Sequence, residues 1–181
     1  MIDDEIKNKI IKLFKENQFS KVLELTEKID IEDRPAGLEN IIGISKYNKK
    51  DLTLKDLQDT FLCFERAFLK DKNSIHGLNG LLNIIKTGTE VCHVVNRFSE
   101  FLHKATEYYL SKEKDYEDNE EFLAAGLKLF SYLLDSKKLK EISKKILDSD
   151  LRSKYLRGIA IFENNYHEIW SQSDHLNFAL K

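Results

Sequence analysis

The amino-acid sequence predicts an all-α protein made of antiparallel helix pairs, and three observations lead there. One proline and seven glycines in 181 residues give turns and strand breaks little support, while abundant Leu, Ile, Lys and Glu favour helix. Apolar residues recur at alternating steps of three and four, which marks one buried face per helix. Capping and first-turn residues stand between those runs.

Helices are expected over 3–17, 19–30, 35–48, 53–71, 74–87, 90–111, 119–135, 137–148, 150–163 and 165–179. The third opens with Asp33 as a cap and Pro35 in the first turn, where its missing N–H costs nothing. In the fourth, Leu54, Leu57, Phe61, Phe64 and Phe68 line one face, and Thr53 with Asp56 forms a capping box. The sixth places Val91, Val95, Phe98, Leu102, Ala105 and Tyr109 on one stripe. Asn119 caps the seventh, with Glu120 and Glu121 in the first turn, where the helix dipole favours negative charge. The charged, apolar-poor stretch Ser111–Asp118 reads as a loop between pairs rather than as a domain boundary.

Aligned pair by pair, the helices repeat a pattern. Ile42-Gly43 and Tyr47 stand on a first helix, and Phe64, Ala67 and the exit Lys70-Asp71-Lys72-Asn73 on its partner. Asn17-Gln18-Phe19 marks the first turn, with Val22 following. Leu78, Leu81-Leu82 and Ile85 precede Gly88, with Phe98, Leu102 and Ala105 opposite; Phe122, Ala125-Gly126 and Leu129 open a fourth pair. Leu156, Gly158, Phe162, Asn165-Tyr166 and Ile169 form a fifth.

With this pattern the chain resembles the tetratricopeptide family, whose unit is about 34 residues of helix, turn and helix. Extra residues near Lys49–Leu54, Glu90–His93 and Asp135–Lys138 lengthen several pairs, and Lys72 stands where the family has proline. The resemblance implies a right-handed α-solenoid of about five TPR-like antiparallel helix pairs, one domain over residues 1–181. Gly43, Ala67, Ala105, Gly126 and Gly158 are the small residues expected where paired helices approach closely.

The resemblance also implies a concave groove lined by the first helix of each pair, which binds a protein or peptide segment. Its matching positions are Asn40, Tyr47, His76, Asn79, Asn83 and Lys86. Asparagine suits such a surface because its amide both donates to and accepts from a ligand backbone. Some members of the family clamp a terminal carboxylate with Lys and Asn. Here Lys7 occupies the Lys position but Ile11 the Asn position, so that clamp is not expected.

Composition narrows the alternatives. The 29 Lys and Arg nearly balance 31 Asp and Glu, which removes the broad attraction that nucleic acid requires. No apolar run is long enough for a membrane span. The acidic start MIDDEIKNKI lacks the regions of a signal peptide, and Cys63 and Cys92 sit in apolar segments without CxxC spacing, so reduced thiols and a cytoplasmic setting are expected.

No cofactor or metal is expected. His93, Glu100, His103 and Glu107 share a broad helix face, but His93 lies nearly three turns from His103. The lysine-rich Lys137–Lys145 reads as a packed helix with a basic solvent face, since Leu139, Ile142 and Ile146 keep helical spacing. GxSxG, Walker A and HExxH motifs are all missing, so enzymatic activity is not expected. In the tail, Ser173, Asp174 and His175 are consecutive and point about 100° apart on a helix, which forbids a relay among them. Trp170-Ser171-Gln172-Ser173-Asp174 instead resembles the junction that follows the repeats of O-GlcNAc-transferase-like glycosyltransferases. On that alternative the chain is an acceptor-presenting module without its catalytic domain. A third reading is self-association through the C-terminal repeat, whose last helix lacks a polar cap.

Overall fold

The computed structural model describes residues 2–95, 100–133 and 135–146, and every regular element among them is helical. The helices are α1 (Asp4–Lys15), α2 (Phe19–Thr26), α3 (Ala36–Tyr47), α4 (Leu54–Lys70), α5 (Ile75–Val95), α6 (Glu100–Lys112), α7 (Glu120–Tyr132) and α8 (Ser136–Lys145). A 3-10 turn, Ile31–Asp33, precedes α3. The helices expected over 150–163 and 165–179, with Gly158, Trp170 and the rest of the tail, lie outside the described residues.

The chain falls into two compact units, Met1–Lys112 and Glu113–Lys181. In the first, each helix packs on the next, and α3 also touches α5. In the second, α7 packs on α8. There Asn119 accepts from the backbone N–H of Phe122 as its cap position demands, and Leu139 and Ile142 of α8 are buried.

The α4 stripe packs as its spacing demands. Phe61, Phe64 and Phe68 are fully buried, and Phe61 and Phe68 meet Phe101 and Tyr108 of α6 with ring centroids 4.8 and 5.1 Å apart. Close approach explains the small residues. Ala67 and Ala105 are buried, and a methyl group at Gly43 would stand 2.5 Å from the Phe64 ring. The α1–α2 turn is made by Asn17, whose φ of 56° places it in the left-handed region that Asn tolerates best after Gly. The next N–H, from Gln18, reaches back to Leu13 and closes the helix end.

The start of α4 is a complete capping box. The Thr53 hydroxyl accepts from the Asp56 N–H, and the Asp56 carboxylate accepts from the Thr53 N–H, the Thr53 hydroxyl and the Lys49 ammonium. The Thr53 hydroxyl first, and then Lys49, hold the Asp56 carboxyl well below the usual carboxylate range. A depressed folded-state pKa stabilises the fold above the unfolded value of about 4, and that contribution is lost as pH falls through the folded value. The stability gap between wild type and Asp56→Asn should therefore stay constant above about pH 5 and close in acid. Urea melts across that range measure it; a gap that widens on acidification contradicts the capping assignment.

Two details differ from the sequence expectation. Asp33 does not cap α3, because Arg34 ahead of the proline is extended, at φ −77° and ψ 117°, and Pro35 is itself the capping residue. Asp33 instead closes the 3-10 turn. Nor is there a turn at Gly88, since α5 runs without interruption to Val95. Thr87 and Thr89 donate their hydroxyls to the carbonyls of Asn83 and Lys86, inside the helix. Gly88 is needed for packing, because a methyl there would press on the Phe101 carbonyl and Ala105 of α6 at 3.2 and 3.4 Å.

Candidate functional site

Helix α3 organises the candidate site because its two flanks face different neighbours. Gly37 and Ile41 line a groove against α1, while Ile44 and Asn48 line a cleft against α5. These four residues step by four, three and four, so they run along one stripe of the helix.

The groove between α1 and α3 encloses about 460 Å³. Its walls are mostly aliphatic, from Ile2, Ile10 and Ile11 on one side and Pro35, Leu38 and Ile41 on the other, with Asp4, Lys7 and Asp33 among the lining residues. Its far wall is anchored by cations. Arg34 donates to the carbonyls of Ile29 and Thr26, and Lys70 of α4 donates to those of Ile31 and Arg34. Ile11 lines this groove.

The cleft between α3 and α5 encloses about 130 Å³ and gathers Tyr47, Asn83 and Lys86 with Ile44, Asn48, Phe64 and Thr87. Tyr47 donates its hydroxyl to Glu90 at 2.8 Å, and the Lys86 ammonium stands 4.2 Å from the centre of its ring. Burial, then the neighbouring carboxylate, pushes the Tyr47 phenol up to about 12, so it stays a neutral donor at physiological pH. Asn83 donates to the Asn79 carbonyl one turn back, which leaves its amide oxygen as an acceptor.

The structure places the remaining expected residues elsewhere. Asn40 is only 7% exposed, and its amide donates to the His76 carbonyl at 2.8 Å, so it ties α3 to the start of α5. The His76 ring is exposed and lies over Gly37, and Asn79 is exposed on α5. Three of the six residues thus meet in one cleft, two meet at the other end of the α3–α5 seam, and Asn79 stands beside Asn83.

Sequence reasoning missed three carboxylates that join helices. Glu39, fully buried, binds Arg66 of α4 in a two-pronged pair at 2.9 and 3.0 Å, and Arg66 also donates to the Cys63 sulfur at 3.2 Å. Burial pushes the Cys63 thiol up, which keeps it protonated and unreactive. Glu65 accepts from Tyr108 at 2.7 Å and pairs with Lys104 at 3.1 Å, while Glu90 holds Tyr47. The signal was present, since Glu65 shares the apolar stripe of Phe61, Phe64 and Phe68. A charge on such a stripe requires a partner.

Elsewhere, His103 and Glu107 approach to 3.4 Å but are 76% and 61% exposed, as befits a surface pair. No group of three or more metal-ligating side chains converges among the described residues, and no helix there is long and apolar enough to cross a membrane. No protein-family model matches the chain, and neither does any curated protein or solved structure.

Proposed function

We propose that this protein is a non-catalytic scaffold that binds a protein or peptide segment along the first helices of its repeated pairs. The carrying observation is the aliphatic groove of about 460 Å³ between α1 and α3, open along the same α3 stripe that leads to the Tyr47 cleft. Its size and lining suit a bulky apolar side chain of a partner, with exposed polar groups at its rim. The side-by-side placement of α3 and α5 supports a right-handed, tetratricopeptide-like solenoid as the architecture. A buried free thiol at Cys63 fits a cytoplasmic setting. The glycosyltransferase-module alternative rests on residues 170–174, outside the described residues, and gains no observation here.

Ile11 offers a clean test because it lines the groove without belonging to the apolar cluster around Ile10, Val22, Leu38 and Ile42. Displayed random peptides selected on the wild-type protein should enrich sequences with a large aliphatic residue. Ile11→Asp should lose that enrichment, at least about tenfold in affinity for the selected peptides, with an unchanged melting temperature. Equal binding by Ile11→Asp would rule out the groove.

A further inference from the structure

We propose that the cleft beside Tyr47 selects a cationic side chain of the bound segment, an arginine or lysine about four residues from the apolar anchor. This deepens, and rests on, the reading of the α1/α3 groove as a peptide site.

Lys86 already occupies the position such a ligand would take. Its side chain is exposed, yet its ammonium stands over the Tyr47 ring face, 4.2 Å from the centre. The electron-rich face of an aromatic ring attracts cations, and here the phenol donates to the Glu90 carboxylate, which adds negative potential at the ring's edge. The polar groups around the ring favour a donor-only guest. Asn48 and Asn83 each spend an amide N–H on a backbone carbonyl, of Ile44 and Asn79, which leaves their amide oxygens as acceptors. Guanidinium and ammonium carry donors and no acceptor, which matches that arrangement. When Lys86 swings out into water, an incoming cation takes over its place on the face of the Tyr47 ring, whose hydroxyl is bound to Glu90.

The spacing follows from α3. The groove centres near Gly37 and Ile41 and the cleft near Ile44 and Asn48, a shift of seven residues. That is about 10 Å along the shared stripe, and passing from the α1–α3 seam to the α3–α5 seam, about one helix spacing, adds about 9 Å sideways. The resulting diagonal of about 14 Å is spanned by about four extended residues.

The probes are degenerate peptides with a fixed leucine and, three to five residues further on, arginine, norleucine or glutamate. Binding is read by fluorescence polarisation on wild type, Lys86→Ala and Tyr47→Leu. The arginine series should bind wild type about tenfold more tightly than the norleucine series. Lys86→Ala, a change of an exposed side chain, should widen that margin, and Tyr47→Leu should erase it while leucine-dependent binding survives. Equal binding of arginine and norleucine series to wild type and Lys86→Ala, or a preference for glutamate, overturns the cationic pocket and leaves the groove standing. Failure of every leucine-bearing peptide to bind overturns both.

Discussion

Replacing Arg66 with methionine is expected to destabilise the protein by about 3–5 kcal/mol, measured as a fall in the urea midpoint at constant slope. Glu39 is 0% exposed, so removing its two-pronged partner strands a carboxylate with no route to water. The two halves of the pair are not equivalent. Arg66 is 28% exposed and keeps some hydration when Glu39 is removed, so Glu39→Gln should cost less than Arg66→Met. The double change Glu39→Leu with Arg66→Met should recover most of the loss, because two apolar groups of similar volume leave nothing buried without a partner. A loss of under about 1 kcal/mol for Arg66→Met would show that the pair is not holding α3 against α4.

Gly77→Ala is expected to cost about 3 kcal/mol, although alanine is the better helix former by about 1 kcal/mol. Gly77 lies in the first turn of α5, and its missing methyl would collide with the Asp71 carbonyl oxygen. That carbonyl cannot retreat cheaply. It belongs to the residue that ends α4 and already accepts from the N–H and hydroxyl of Ser74. Asn79→Ala, an exposed change two residues away, provides the control and should leave stability unchanged or slightly raised. A Gly77→Ala variant that melts like Asn79→Ala would mean that the α4–α5 corner yields freely.

The helices were legible where caps and stripes coincide. Thr53 with Asp56, Asn119, and the phenylalanines of α4 declare their roles within a few neighbouring residues, because each depends on local backbone geometry. Gly88 was misread because a turn glycine and a packing glycine are the same letter. Only the approach of α6 distinguishes them. In the candidate site, Tyr47, Asn83 and Lys86 share a cleft, while the other three expected residues do not line it. Residue spacing could not foresee that Asn40 would be spent on His76, which depends on where the start of α5 lands. The groove at Ile11 and Ile41 was not legible in the sequence, since a helix stripe does not reveal whether the neighbouring helix closes over it or stands off.

Besides the Glu39–Arg66 pair between neighbours, three further polar ties inside the first compact unit share a property of their own. Asn40 to His76 and Tyr47 to Glu90 join α3 to α5, and Glu65 to Tyr108 and Lys104 joins α4 to α6. Each tie skips one helix along the chain. In an array held together only by adjacent contacts, the terminal pair can fray while the rest endures. Bonds that bridge alternate helices penalise such partial opening, since peeling α5 and α6 away breaks all of them together. From α3 to α6 the molecule should thus melt as one cooperative block, with amide protons exchanging at a common free energy rather than in a gradient from the end.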